Sequence, residues 1–143
     1  MKNFKSFILE FKVEVPAAKD TLGISRDEMP QVKSADYDAL IAHLQKNGIK
    51  MKKKTVKASS LKATQKNFNS DKIVKAIASI ETLGKAKPII VSADNYVIDG
   101  HHRWLAAKNV GANIDIIQAS VNADELMKSV YSFPKTFTKN INQ

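Results

Sequence analysis

Asp99-Gly100-His101-His102-Arg103 gathers one acid, one glycine, two imidazoles and a guanidinium directly after the apolar run Tyr96-Val97-Ile98. A strand that ends in glycine and passes at once into a helix makes an anion site. The first N–H groups of a helix have no intrahelical acceptor, and the helix dipole places partial positive charge at the same end. Gly100 allows a sharp turn and a close approach of ligand to backbone. Arg103 can grip two phosphate oxygens with parallel hydrogen bonds, and His101 and His102 add donors. Asp99 is then the one acid beside a cluster of cations. It could bind a phosphate-bound Mg²⁺, orient a water or hydroxyl, or accept a proton. The candidate catalytic residues are therefore Asp99, His101 and His102, and the candidate phosphate-binding residues are Gly100, His101, His102 and Arg103. The same string also reads as a turn acid followed by the surface of a helix start. Adjacent histidines point in different directions on a helix, so the pair lacks the spacing of a helical zinc site.

The flanking sequence must supply the strand and the helix. Pro88 to Val91 and Tyr96 to Ile98 are short apolar runs separated by Ala93-Asp94-Asn95, which predicts a β-hairpin. A helix from about His101 to Asn109 follows, with Trp104, Leu105 and Ala107 facing a core and Gly111 as the stop. Ile73, Val74, Ile77 and Ile80 recur at helical spacing, which predicts a helix over 72–83 capped by Ser70 or Asp71 and ended by Gly84. A helix over 34–47 is predicted with Ser34 as N-cap and Gly48 as its stop, and its His43 reads as ordinary surface. Thr55 to Ala58 reads as a short strand, 59–69 as a loop, and Ile114 to Val121 as a strand. Asn122 with Glu125 resembles a capping box, opening a helix through Tyr131. Phe4 to Val15 fits either strand or helix, residues 17–33 read as irregular, and the tail from Ser132 reads as extended or disordered. The domain reading is an extension over 1–49 with one helix, a main domain over 50–131 and a tail over 132–143.

Charge is distributed unevenly. The chain of 143 residues carries a net charge of +9. Residues 1–49 and 88–143 are each balanced, so the whole excess falls in 50–87, where eleven lysines meet only Asp71 and Glu81. Such asymmetry points to a polyanionic partner, nucleic acid first, with a solvated basic face as the plain alternative. The lysines nominated to meet a nucleic-acid backbone are Lys50, Lys52, Lys53, Lys54, Lys57, Lys62 and Lys66. The chain has no cysteine, which excludes disulfides, thiolate catalysis and cysteine-ligated zinc. No apolar run approaches a membrane span and no secretory leader is evident, so a cytoplasmic protein is expected.

Val56 to Gln65 (VKASSLKATQ), Lys87 to Val91 (KPIIV) and Tyr96 to Ala107 (YVIDGHHRWLAA) resemble the ParB/sulfiredoxin-like superfamily over residues 55–121. Ile24 to Val32 (ISRDEMPQV) is similar to a segment of phage-borne members, which would place the protein in a host cytoplasm. The resemblance implies an α+β fold, a small mixed sheet with flanking helices and a phosphate motif at a helix N-terminus. It implies ATP or another NTP as ligand, DNA as partner, and NTP hydrolysis or DNA cleavage as activity. Sulfiredoxins carry a cysteine where this chain has His101, so sulfinic acid reduction is excluded. Chromosome-partitioning ParB proteins bind CTP through a Gly-Glu-Arg-Arg type motif where this chain has Gly100 to Arg103, and no helix-turn-helix pattern follows here. Free-serine kinases of the superfamily share the string Asp99 to Trp104, but Gln65 occupies the position of their catalytic glutamate. An amide is no general base. Gln65 is therefore assigned to the nucleotide site. The alternatives to a hydrolase are a serine-type kinase and a non-catalytic module that binds DNA or a host protein.

Overall fold

The structure, a computed structural model, describes residues 13–138. The sequence reading of Phe4 to Lys12 and of 139–143 lies outside these residues. In chain order the described elements are α1 (Tyr37–Lys46), β1 (Met51–Lys57), β2 (Lys62–Ala63), α2 (Ser70–Leu83), β3 (Ile89–Val91), β4 (Tyr96–Asp99), α3 (His101–Asn109), β5 (Asn113–Ala119) and α4 (Ala123–Tyr131). Short 3-10 turns occupy Ala18–Asp20, Arg26–Glu28, Ser34–Asp36 and Ala58–Ser60.

The strands form one mixed sheet in the order β1-β5-β3-β4-β2. β1 pairs antiparallel with β5, β5 parallel with β3, β3 antiparallel with β4, and β4 parallel with β2. Side chains alternate across a strand, so consecutive apolar residues feed opposite faces. Ile89, Val97 and Ile116 pack with Ile73 and Ile77 of α2 and with Trp104 and Leu105 of α3. Their neighbours Ile90, Ile98 and Ile117 pack on the other face with Leu40 and Leu44 of α1 and Leu126 and Val130 of α4. The result is an α+β sandwich in which helices cover both faces of the sheet. Each fully buried side chain of this size contributes roughly 1.5–3 kcal/mol. Trp104 is a core residue whose indole N–H donates to the Ala58 carbonyl at 2.7 Å.

Several sequence readings are corrected. The basic run is itself strand: β1 begins at Met51 rather than Thr55, because its alternation pairs all seven residues with β5. The predicted loop over 59–69 contains β2. Asn69, not Ser70 or Asp71, caps α2, its side chain accepting from the Lys72 N–H at 3.2 Å. Ser34 caps nothing, since it lies within a 3-10 turn that leads into α1. Asn122 caps α4 as expected, accepting from the Glu125 N–H at 3.1 Å.

Residue 49 is no boundary between packing units. Val32, Tyr37, Leu40, Leu44 and Ile49 share one core cluster with the sheet. Upstream, Ile24 forms a parallel bridge with Gln65 beyond β2. The tail is ordered through 138: Phe133 is buried, and Phe137 exchanges two backbone hydrogen bonds with Gln31, at 2.8 and 3.0 Å.

Candidate functional site

β4 delivers Asp99 to the end of the sheet, and α3 begins two residues later. Gly100 makes the turn between them with φ +98°, a left-handed conformation that L side chains rarely adopt. A Cβ there would lie 2.9 Å from Ile89 Cβ and 2.9 Å from Arg103 Nη2. Only glycine fits, and its bareness opens the N-terminus of α3 to a ligand.

Arg103, one turn into α3, reaches back across this opening. Its Nη2 donates to the Tyr37 hydroxyl at 2.7 Å and to the Pro88 carbonyl at 3.2 Å. The Tyr37 hydroxyl in turn donates to the Asp99 carboxylate. Asp99 is only 5% exposed, and Tyr37 is likewise buried. Burial, and then the nearby Asp99 charge, push the Tyr37 hydroxyl far above the usual phenol range. It therefore stays protonated and links the acid to the guanidinium. Among the described residues one buried side-chain polar atom has no hydrogen-bond partner, and it is Arg103 Nε.

The two histidines turn their Nε2 atoms to the loop after β2. His101 Nε2 accepts from the backbone N–H groups of Thr64, at 3.2 Å, and Gln65, at 3.3 Å. His102 Nε2 accepts from the Asn69 N–H at 3.1 Å. The expectation that both imidazoles offer donors to a phosphate is thus corrected for these atoms: each Nε2 accepts from the 63–69 loop and fastens it to the start of α3. Burial, with His102 adding to it, lowers the His101 pKa to about 3. His101 is neutral at physiological pH, with its proton on Nδ1, and adds no positive charge.

Loop and N-terminal segment complete the cleft. Gln65 is buried, and its Nε2 donates to the Asn67 carbonyl at 2.6 Å. The Asn67 side chain accepts from the Arg26 N–H at 2.8 Å. Arg26 is 2% exposed, and burial pulls its guanidinium below its ordinary pKa while leaving it charged. Arg26, Lys33, Lys72, Lys75, Arg103 and the one acid, Asp99, line a cleft of about 520 Å³, with Gln65, Gly100, His101, His102 and Phe137 also in its wall. That size suits a small ligand, and the lining selects for negative charge.

The sequence reading missed Tyr37, Arg26, Lys33, Lys72, Lys75 and Phe137. Arg26 falls within the segment that resembles phage-borne members, which was its only signal. Lys72 and Lys75, one helical turn apart, vanished into the general excess of lysine. Nothing local marks Tyr37 or Phe137, since long-range packing alone brings them here.

The seven nominated lysines do not form one patch. Lys53 and Lys57 share one face of β1 with Met51, whereas Lys52 and Lys54 share the opposite face with Val56. β1 is one edge of the sheet and Lys62 sits on β2 at the other, its ammonium 4.3 Å from the Tyr96 ring centroid. Lys66 is exposed and follows Gln65.

Asp99 already accepts a hydrogen bond from Tyr37, and among the described residues no group of three or more His, Asp or Glu side chains is placed to hold a metal. Phosphate fits well, with five cations, a bare Gly100 cradle and the buried Arg103 Nε.

Comparison with known proteins decides the family. Residues 39–131 match the ParB N-terminal domain. The chain belongs to that family. A solved structure of a Pnob8-like ParB-N domain aligns with 18% identity and a TM-score of 0.48, over 58% of this chain and 35% of that one. The chain thus spans about a third of that protein. No curated protein sequence matches. The family match starts within α1, inside what the sequence reading took for an extension. Among the described residues of this ParB-N chain, no helix is long and apolar enough to cross a membrane.

Proposed function

We propose that this member of the ParB N-terminal domain family binds the phosphates of a nucleoside triphosphate at the start of α3, and that it acts with DNA. Arg103 carries the reading. Its Nη2 is tethered by Tyr37 and Pro88, while its buried Nε lacks a partner beside a cleft rich in cations. A buried donor without an acceptor costs about 1–3 kcal/mol. A phosphate oxygen relieves that cost, and Arg26, Lys33, Lys72 and Lys75 balance the remaining charge. The net charge of +9 supports a nucleic-acid partner.

Hydrolysis of the bound nucleotide is the second reading, because Asp99 is the one carboxylate in the cleft and the Tyr37 hydroxyl fixes its orientation. In this reading Asp99 positions the attacking water. DNA cleavage would make the same demand of it. A serine-type kinase lacks support, since Gln65 donates its amide to Asn67 and supplies no base.

A thermal-shift series with ATP, ADP, CTP and GTP, each with and without Mg²⁺, tests the proposal. A ligand at a hundred times its Kd stabilises the fold by about 2.7 kcal/mol. At least one triphosphate should raise Tm, and Arg103→Ala should abolish the rise. Failure of every nucleotide to stabilise the wild type would overturn the proposal. Release of phosphate by the wild type but not by Asp99→Asn, with binding retained in both, would establish hydrolysis. Binding without turnover would leave a nucleotide-binding module.

A further inference from the structure

The phosphate cleft is not isolated. It shares Ser34, Ala76 and Arg103 with a hollow of about 310 Å³ that Lys85 and Lys87 also line. That hollow shares Ser34 and Lys87 with a larger groove of about 640 Å³ between α1 and the β1–β5 edge of the sheet. Tyr37 stands at the junction: its hydroxyl holds Arg103 while its side chain lines the larger groove. The three depressions form one continuous trench. Its cations run from Arg26, Lys33, Lys72 and Lys75 at the cleft end, through Arg103, Lys85 and Lys87 in the middle, to Lys53 and Lys54 at the far end.

The far end differs chemically from the cleft. Ile41, Pro88 and Ile117 give it an apolar floor beside the Tyr37 ring. Its acids are Asp38 and Asp115, and Asp115 is already engaged, accepting from the Thr55 hydroxyl at 2.6 Å and lying 3.6 Å from the Lys85 ammonium. A basic path with an apolar floor suits a flexible chain that carries phosphates on one side and flat, apolar faces on the other. Single-stranded nucleic acid has that chemistry, with its backbone on the cations and its bases against the apolar and aromatic surface. A duplex keeps its bases stacked inside, away from such an apolar floor.

We infer that this trench, rather than the lysine run as a whole, is the nucleic-acid track of the protein, and that its occupant is a single strand whose phosphates begin at the Gly100–Arg103 cleft. The inference rests on the phosphate reading of that cleft and extends it across the molecule. It also sorts the nominated lysines. Lys53 and Lys54 line the track, whereas Lys52 lines a separate depression beside Lys50 and Lys62 lies on the far edge of the sheet.

Fluorescence anisotropy with a labelled oligothymidylate, and with a duplex of equal length, tests the track over a range of salt. The probes are titrated against wild type, Lys53→Glu/Lys87→Glu and Lys52→Glu/Lys62→Glu. All four positions are exposed, so the variants should fold, and their melting temperatures verify it. Reversing two trench charges should weaken single-strand binding at least tenfold. It should also flatten the log K against log salt slope by roughly 1.4, at about 0.7 per lost phosphate contact. The off-track pair should change affinity less than threefold, and the nucleotide-induced Tm rise should be the same in all three proteins. Equal losses in the two pairs, tighter binding of the duplex than of the single strand, or no strand binding beside a normal nucleotide shift would each overturn the track and leave the phosphate reading standing. Absence of the nucleotide shift in the wild type would instead strike the phosphate reading itself.

Discussion

The cationic cleft at the start of α3 and the β1 edge both carry concentrated positive charge, yet the protein builds them in opposite ways. In the cleft, Arg26 is almost fully buried, and Arg103 is held by a tyrosine hydroxyl and a backbone carbonyl. The partners of Arg103 are neutral dipoles, which orient a guanidinium without cancelling its charge. Along β1, Lys52, Lys53 and Lys57 are exposed, and Lys54 makes a hydrogen bond to Gln118 at 2.8 Å. Exposed charges of this kind are screened by water and salt and contribute little to stability. Density of charge in the sequence therefore says little about where an anion is gripped. Geometry that holds a cation without neutralising it says much more.

That contrast requires the cleft to respond strongly to small changes. The largest response should come from Gly100→Ala. The new methyl would press on Ile89, which is fully buried, in a left-handed backbone that alanine resists. Overpacking costs about 1–3 kcal/mol and the left-handed conformation about 1–2 more. Urea denaturation should show a loss of roughly 3 kcal/mol, together with loss of nucleotide-induced stabilisation. A variant as stable as the wild type would show that the turn relaxes freely and that the cradle is not rigid.

The next response is to pH, through His101. Its folded pKa of about 3 lies below the ordinary 6.5. Between those values the unfolded chain binds a proton that the folded protein refuses, so stability falls as pH drops from about 6.5 towards 3. One such proton is worth about 1.4 kcal/mol per pH unit in that window. Urea melts at pH 7.5 and 5 should therefore differ by roughly 2 kcal/mol from this source. His101→Gln, which removes the titration, should lose that part of the difference. An unchanged pH dependence in the variant would mean that His101 is protonated in the folded state and does not accept from the 63–69 loop.

Much of this was legible in the sequence, for local reasons. The hairpin over 88–98, the helix from His101 and the capped helix after Asn122 all follow from apolar periodicity and turn residues within a few positions of one another. The Asp99–Arg103 motif was legible because its own residue types announce a helix-terminus anion site. The orientation of the histidines was not, because the acceptors' partners belong to a loop 36 and 37 residues away in sequence. Tyr37 was silent for the same reason, at a separation of 62 residues from Asp99. The strand character of Lys50 to Lys57 was hidden because β1 is an edge strand. Its outer groups face water, so lysine can stand at positions that a central strand would fill with valine or isoleucine.

That last point yields the smallest expected effect on stability and a separate use for the run. Edge strands expose unpaired N–H and C=O groups, and lysine on an edge resists pairing with a second chain. Lys52 and Lys57 pair across the ladder with Gln118 and Asn113, neither of which bears a charge. Replacing both lysines with threonine removes no ion pair and keeps a residue suited to a strand. Stability in urea should therefore change by no more than about 0.5 kcal/mol. Self-association should respond instead. Light scattering of Lys52→Thr/Lys57→Thr at high protein concentration should show aggregation that the wild type avoids, and nucleotide-induced stabilisation should match the wild type. If the variant stays monodisperse and loses affinity for a single strand at least tenfold, the run serves nucleic acid directly and the division between gripping cleft and protective edge fails.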